Sequence, residues 1–196
     1  MIICYIGDSL TLGYGDPAGL GWPGRISGAL RTGETDVTSY NLGVRRDTTP
    51  KMAARWKAEA ALRRIPGEPC KLVFNFGVAD QVNKVSETET LVAAEAMLTE
   101  AKAMGDVLVV GPTPVLDEAL CSRIAYLSPA VGGLCRKLGA PFIPLLDVLM
   151  ADPVFTQSLA DNDDVHPAAP GYAAMARHLL AAPALRAFFG LVEAQR

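Results

Sequence analysis

Five short apolar runs recur along the chain, and longer segments with helical spacing of apolar residues separate them. The runs are almost continuously hydrophobic, which is typical of strands covered by helices on both faces. Their alternation with helices predicts an α/β fold, a three-layer α/β/α sandwich built on a five-stranded, mostly parallel sheet. The predicted strands are residues 2–6, 37–42, 71–76, 107–110 and 142–146.

Helical signals lie between these strands. Thr49-Pro50 indicates one helix start, because a hydroxyl can cap the helix and proline suits its first position. A second helix is predicted over residues 87–104, ending at Gly105, and a third carries an apolar stripe at residues 124, 127, 131, 134 and 138. A closing helix is expected after Pro170-Gly171, up to about residue 180, and a short one after Pro183.

Length and charge limit the function classes. A chain of 196 residues suits a single domain over residues 1–196, with a core that needs no disulfide or metal. The net charge is −3, and Lys and Arg are scattered, so we expect no nucleic-acid partner. No apolar run is long enough to cross a bilayer, and strand-forming residues from position 2 leave no room for a leader. We therefore expect a cytoplasmic protein without a membrane span, and the alternative is a protein whose leader has already been removed; its oligomeric state stays open.

The four cysteines give no sign of a metal site or of a cofactor. Cys4, Cys70, Cys121 and Cys135 form no CxxC pair, and no histidine lies at metal-ligand spacing from them. We expect reduced thiols in apolar or helical surroundings. A bridge between Cys121 and Cys135 is the alternative.

Gly7-Asp8-Ser9-Leu10 follows the first predicted strand directly. The Ser9 hydroxyl therefore sits at the C-terminal end of a strand, the edge where ligands bind in open α/β sheets. It is a candidate nucleophile, provided that another residue can accept its proton. We expect Asp8 to shape the turn rather than to take part in the chemistry.

The chain contains two histidines, so candidates for the base are few. His178 lies in a helical run and is interpreted as structural. His166 lies in a polar loop, three residues after Asp163, and a turn there can bring the carboxylate to Nδ1 so that Nε2 accepts a proton from serine. The alternative is an acidic loop that only caps the next helix. Asp161 and Asp164 are rivals for the acid but lack this spacing.

Together, Gly7-Asp8-Ser9-Leu10 and Asp163-x-x-His166-Pro167 resemble the GDSL, or SGNH, family of serine esterases and lipases. Residues 41–48 look like its second block, residues 76–80 its third, and residues 13–24 its first active-site loop. The resemblance implies a triad of Ser9, His166 and Asp163. It also implies backbone N–H donors to the oxyanion from Ser9 and Gly43, no cofactor, and a small-molecule ester substrate of short or medium acyl length. Asp8, Val44 and Val165 are expected beside the substrate.

The sequence departs from the family pattern at two positions. Arg46 stands where many members have a second glycine, and Ala79 stands where the family's asparagine donates a side-chain N–H to the oxyanion. Losing one such donor typically costs about 10²–10³ in turnover. Three explanations stay open: a donor from Asn75, Gln81, Asn83 or a water; an introduced alanine; or a weakened hydrolase that mainly binds its ligand.

Two further points stay open at this stage. Residues 152–155 precede the histidine loop, and Phe155 either contacts the acyl group or belongs to the core. A flavodoxin-like nucleotide or phosphate binder is a weaker alternative, because helix N-termini at strand ends hold anions. The chain has no Gly-rich phosphate loop to support it.

Overall fold

Five parallel strands form the central sheet of the computed structural model, which describes residues 1–31 and 36–191. They are β1 Ile2–Gly7, β2 Thr38–Gly43, β3 Cys70–Asn75, β4 Asp106–Val110 and β5 Phe142–Ile143. The sheet order is β2-β1-β3-β4-β5, with every pair parallel. After β1 the chain therefore adds β2 on one side, and it then adds β3, β4 and β5 on the other side. Ligand sites in open α/β sheets lie at such a reversal.

The strand register aligns the carboxyl ends of the three strands around this reversal. Gly7, the last residue of β1, lies opposite Gly43 of β2 and Asn75 of β3. The segments that follow these three residues therefore leave the sheet side by side. This alignment brings residues far apart in sequence to one edge.

Helices cover both faces of the sheet. Their bounds are α1 Ser9–Leu12, α2 Gly21–Leu30, α3 Thr49–Ala61, α4 Val78–Val82, α5 Glu87–Met104, α6 Glu118–Leu138, α7 Leu146–Met150, α8 Pro153–Ala160, α9 Ala169–Ala181 and α10 Pro183–Phe189. One core cluster joins the sheet to α3, α5 and α6, with Trp56 against Phe74. A second joins the opposite face to α2, α8 and α9, with Trp22 against Tyr5. The result is the three-layer α/β/α sandwich.

The differences from the sequence-based expectations lie in short elements. The fifth strand ends at Ile143 rather than residue 146, because Pro144 cannot donate to a ladder and α7 begins two residues later. Of the segment 13–24, the last four residues belong to α2. Phe155 is 0% exposed within the second core cluster, so it is core and not an acyl contact.

The structure also bears on the cysteines and on membrane spans. All four cysteines are free thiols, so Cys121 and Cys135 form no bridge. Within residues 1–31 and 36–191, no helix combines the length and apolar character that a membrane crossing needs.

Candidate active site

Ser9 is the first residue of α1, directly after β1. Asp8 caps this helix through Oδ1, which accepts the N–H of Leu10 at 2.9 Å. The turn is tight: a Cβ built on Gly7 would lie 2.0 Å from the Thr11 hydroxyl oxygen and 2.7 Å from the Asn75 carbonyl oxygen. Glycine at position 7 therefore lets the strand pass directly into the helix, which leaves Ser9 at the carboxyl edge of the sheet.

The loop between α8 and α9 brings His166 to this serine. His166 Nε2 lies 2.7 Å from Ser9 Oγ, and Nδ1 lies 2.8 Å from Oδ2 of Asp163 and 3.1 Å from Oδ1. Asp163 Oδ1 also accepts the backbone N–H of His166 at 2.8 Å. This clamp orients the imidazole so that Nδ1 donates to the carboxylate and Nε2 accepts from the serine hydroxyl.

Of the three aspartates in this loop, Asp163 is the one whose carboxylate contacts the imidazole of His166 in the described part of the chain. Asp161 accepts a hydrogen bond from the side chain of Gln157 at 2.8 Å, and the backbone carbonyl of Asp164 accepts from the N–H of Leu116. At Asp163, partial burial opposes ionisation, but the hydrogen bonds from His166 and Val165 prevail and lower the pKa of the carboxyl. Asp163 therefore remains a carboxylate beside the imidazole.

An aromatic ring flanks the histidine. The ring of Tyr14 packs edge-on against His166, with centroids 4.8 Å apart, and the guanidinium of Arg45 lies 3.9 Å from the Tyr14 centroid. The hydroxyl of Tyr172, in α9, donates to the Tyr14 carbonyl at 2.8 Å. Sequence analysis did not single out Tyr14 or Arg45, because these contacts join loops that no local pattern connects.

The two backbone donors that the family resemblance implies are the N–H groups of Ser9 and Gly43. Ser9 is the first residue of its helix, so its N–H has no acceptor within the helix. Gly43 packs closely on α1: a Cβ added to Gly43 would lie 2.2 Å from the backbone nitrogen of Leu12. The Gly43 N–H donates to Asn41 Oδ1 at 3.0 Å, so an oxyanion would have to share or replace this contact.

Position 79 lies in the first turn of α4 and presents only a methyl group. The Ala79 N–H is directed to Asp8 Oδ2, at 3.3 Å. Of the three neighbours considered as substitutes, Asn75 uses its amide nitrogen on the carbonyls of Val110 and Gly111. Gln81 lines a separate cavity on the other face of α4. Asn83 lines the same pocket as Ser9 and donates one amide N–H to the Ala79 carbonyl at 2.7 Å, which leaves the second N–H for a ligand.

These residues surround a pocket of about 200 Å³. That volume is below the roughly 300–1,000 Å³ of pockets for drug-sized ligands, so it suits a small group. Val165 belongs to the lining, whereas Val44 is 41% exposed outside it and Asp8 is buried. The lining residues are Ser9, Arg45, Arg46, Val78, Ala79, Val82, Asn83, Asp163, Val165 and His166.

The sequence model of one family, the GDSL-like Lipase/Acylhydrolase family, matches residues 5–174. The chain belongs to this family. Membership makes it a carboxylic ester hydrolase by class. A search of curated proteins finds no match.

Solved structures of GDSL proteins share the fold. A lipase/acylhydrolase from Enterococcus faecalis is 20% identical, with a TM-score of 0.79 over 100% of this chain and 98% of that one. A G-D-S-L family lipolytic protein from Veillonella parvula is 21% identical, with a TM-score of 0.74 over 91% and 95%. A catalytic mutant of an acetylxylan esterase from Geobacillus stearothermophilus is 16% identical, with a TM-score of 0.78 over 100% and 96%.

The backbone explains the glycine that many GDSL proteins have at position 46. Arg46 has a φ of +63°, in the left-handed region that residues with a Cβ disfavour. The arginine therefore occupies a conformation that glycine adopts without strain. Its side chain lines the pocket that contains Ser9.

Two buried aspartates, Asp8 and Asp80, hydrogen-bond to the segments that carry the site residues. Burial raises the pKa of Asp8 to about 7; hydrogen bonds from Leu10 and Ala79 oppose the shift, and the charges of Asp80 and Asp47 add to it. Asp80 accepts from the Thr49 N–H at 2.9 Å, from the Thr49 hydroxyl at 2.8 Å and from the Thr90 hydroxyl at 3.3 Å. Burial raises the pKa of Asp80 as well. Asp80 thus connects α4 to α3 and α5.

The second histidine lies away from the pocket. His178 Nε2 is 2.8 Å from Asp152 Oδ2, which also accepts from Arg177 at 2.6 Å. Asp152 caps α8, and both of its side-chain partners lie in α9. The group therefore connects two helices.

Proposed function

We propose that this chain hydrolyses esters of short acyl groups through a Ser9–His166–Asp163 triad and an acyl-enzyme. The observation that carries the proposal is the 2.7 Å contact between Ser9 Oγ and His166 Nε2, made by residues 157 positions apart. Membership of a lipase/acylhydrolase family supports the same reaction.

In this mechanism, Ser9 Oγ attacks the carbonyl carbon of the ester while its proton passes to His166 Nε2. The carbonyl electron pair moves to oxygen and forms the oxyanion. When the pair returns, the C–O bond to the alcohol breaks and the alcohol takes the proton from Nε2. Water then attacks the acyl-enzyme by the same sequence and releases the acid and Ser9.

Three donors are proposed for the oxyanion: the backbone N–H groups of Ser9 and Gly43 and the free amide N–H of Asn83. Asn83 is included because it lines the pocket one helical turn after Ala79 and, within residues 1–31 and 36–191, uses only one of its two amide N–H groups. Preorganised donors of this kind often supply the largest part of catalysis. In this proposal Asn83 takes the place of the family's asparagine. The oxyanion therefore has one side-chain donor in addition to the two backbone donors, although position 79 is an alanine.

The size of the pocket supports acetyl or similarly short acyl groups. Val78 and Val82 give one wall apolar contacts, and a volume of about 200 Å³ favours a short acyl group. One structural neighbour bears the name acetylxylan esterase, so acetylated carbohydrates are reasonable substrates to assay.

The test is hydrolysis of 4-nitrophenyl acetate and 4-nitrophenyl octanoate by the wild-type chain and by Ser9→Ala. We expect the acetate to be the better substrate, and Ser9→Ala to reduce turnover to near the uncatalysed rate. A fluorophosphonate probe should label the wild type covalently and not Ser9→Ala. Activity that survives in Ser9→Ala would contradict the triad.

A second candidate is a protein that mainly binds its ligand, favoured by the missing donor at Ala79. A binder would show no burst of 4-nitrophenol and no labelling, while an acetate ester would still protect the pocket from chemical modification. Labelling of the wild type at Ser9 would exclude this candidate, because only an activated serine reacts.

A further inference from the structure

Two unpaired arginines border the catalytic pocket. Arg45 and Arg46 follow β2, and both line the pocket that contains Ser9. Among residues 1–31 and 36–191 neither has a carboxylate partner, whereas Arg25 and Arg55 pair with Asp16 and Asp47. The two pocket guanidinium groups are therefore available to a ligand.

The pocket itself does not neutralise this charge. Asp163 is the one carboxylate in the lining, and both of its oxygens are held by His166. The local excess is positive, although the whole chain carries a net charge of −3. A cleft lined by one sign of charge concentrates ligands of the opposite sign.

The backbone at Arg46 argues against an incidental surface arginine. Its φ of +63° is a conformation in which glycine avoids the strain that a Cβ brings. Here the chain instead holds a long cationic side chain beside the nucleophile. Strain retained at a site is a reason to look for a function of the side chain.

Arg45 lies on the His166 side of the pocket, where it stacks on Tyr14. His166 Nε2 must protonate the departing alcohol, so that part of the ester extends along His166. Tyr14 packs against the His166 ring, and the Arg45 guanidinium stacks on Tyr14. The apolar side chains of Val78 and Val82 then remain for the acyl group.

We propose that the site selects esters whose alcohol portion carries an anionic group, a carboxylate or a phosphate monoester, bound by Arg45 and Arg46. Guanidinium groups bind both anions through paired hydrogen bonds. This inference rests on the proposed esterase function and adds the class of substrate.

The test compares two matched acetate esters, 4-acetoxybenzoate and its methyl ester, which differ by one negative charge. Each kcat/KM is divided by the rate constant for hydroxide hydrolysis of the same ester, because the two phenols differ as leaving groups. We expect the normalised value to be about tenfold higher for the anion at low salt. In about 1 M NaCl, where charges are screened within about 3 Å, the ratio should approach one.

A second pair of esters, one of which carries a phosphate, shows which anion the site prefers. 4-Acetoxyphenyl phosphate is assayed beside 4-acetoxyphenol and normalised in the same way. A preference in both pairs indicates recognition of negative charge, and a preference in one pair identifies the anion that fits. A ratio near one in both pairs overturns the inference.

Variants locate the effect. Arg45→Gln/Arg46→Gln should bring the anion-to-neutral ratio close to one, and Arg45→Lys/Arg46→Lys should restore part of it. The matched control is Arg136→Gln, an exposed arginine at the C-terminal end of α6, on the opposite edge of the sheet. The control should keep the ratio of the wild type.

The two proposals fail in different ways. Hydrolysis of the methyl ester that depends on Ser9, with a ratio near one or a ratio that the double glutamine variant does not change, overturns the anion preference alone. Absence of Ser9-dependent hydrolysis for every ester overturns the esterase function itself. Urea unfolding of each variant verifies that it is folded.

Discussion

At residue 79 the pocket presents a methyl group where the family pattern has an amide. Ala79 is 6% exposed and its N–H is used by Asp8, so position 79 itself offers the oxyanion no donor. Asn83 lines the same pocket and keeps one N–H free. In the proposed mechanism, the strength of the oxyanion site therefore depends on how well the amide of Asn83 replaces one at position 79.

Restoring the asparagine should accelerate the reaction. We expect Ala79→Asn to raise kcat for 4-nitrophenyl acetate by about 10²-fold in the Asn83→Ala background, because one added oxyanion donor contributes roughly that factor. Where Asn83 is present, the gain should be far smaller. Ala79→Leu is the matched control, since its side chain has a similar shape without an N–H. No gain from Ala79→Asn in the Asn83→Ala background would contradict a donor role for position 79.

Asn83 gives the complementary prediction. Asn83→Ala should lower kcat by about 10²-fold in the wild-type background and by far less in the Ala79→Asn background, because the two amides serve the same oxygen. The measurement is a double-mutant cycle on kcat. Additive effects in the cycle would contradict a shared role.

Arg46 and Arg45 allow a comparison of backbone strain in neighbouring residues. Arg46→Gly should leave the free energy of unfolding unchanged or raise it by up to about 1 kcal/mol. Glycine relieves the backbone strain at φ +63°, but it also makes the unfolded chain more flexible, which offsets part of that gain. Arg45→Gly, at a position whose φ is not positive, should lower it by about 1 kcal/mol. Urea denaturation measures both, and equal losses would contradict the explanation.

The residues that meet at the site were predictable where a local pattern carried them. Ser9 followed from a strand running into Gly-Asp-Ser, and His166 with Asp163 from their spacing of three. Tyr14 and Arg45 were not predictable, since their contacts depend on how two loops cross after the sheet is formed. The N–H of Gly43 is bonded to Asn41, which only coordinates reveal.

Among the elements, α4 is the one that connects stability to the proposed chemistry. A helix of five residues has little stability of its own. Its pocket face carries Ala79, and Asp80 holds it to Thr49 at the start of α3 and to Thr90 in α5. The position of the pocket wall therefore depends on a buried carboxylate that no substrate touches.

Removing that carboxylate should loosen the wall. Asp80→Ala should lower the free energy of unfolding by about 3 kcal/mol, because it leaves buried donors of Thr49 and Thr90 without an acceptor. Asp80→Asn keeps one acceptor oxygen and should lose less. Thermal or urea unfolding measures the difference, and equal losses in the two variants would contradict this role.

Sequence patterns predicted the long elements better than the short ones. The bounds of α5 follow from its capping box, in which Ser86 and Glu89 exchange hydrogen bonds, and from Gly105 at its end. Helices α1, α4 and α7 have four or five residues, too few to display a period. The apolar run after Ile143 resembled a strand, but Pro144 ends the ladder and the chain turns into α7.

Over the whole molecule, a buried aspartate and a paired aspartate make the free energy of unfolding depend on pH in opposite directions. The folded-state pKa of Asp8 is about 7 against an ordinary value of 3.8, so its contribution is complete below about pH 4 and is lost as the pH rises to 7. Asp152 behaves in the reverse way. The hydrogen bond from His178 lowers its pKa, so its contribution exists above the ordinary carboxyl pKa and is lost on acidification.

The free energy of unfolding should therefore be highest near pH 4, decline as the pH rises from about 4 to 7, and decline again on acidification below the ordinary carboxyl pKa. Relative to Asp8→Asn, the wild type should lose up to about 1.4 kcal/mol per pH unit as the pH rises through this interval. Asp152→Asn should weaken the loss on the acid side. Urea midpoints at a series of pH values test this, and parallel profiles for wild type and Asp8→Asn would contradict it.

The separation of 157 positions between Ser9 and His166 also matters while the chain is being made. A ribosome adds the proposed nucleophile 157 residues before its proposed base, and domains fold as units during synthesis. While those residues are being added, the nascent chain therefore carries Ser9 without the His166 that would activate it. In the proposed mechanism, hydrolytic competence is acquired only when the loop before α9 has left the exit tunnel.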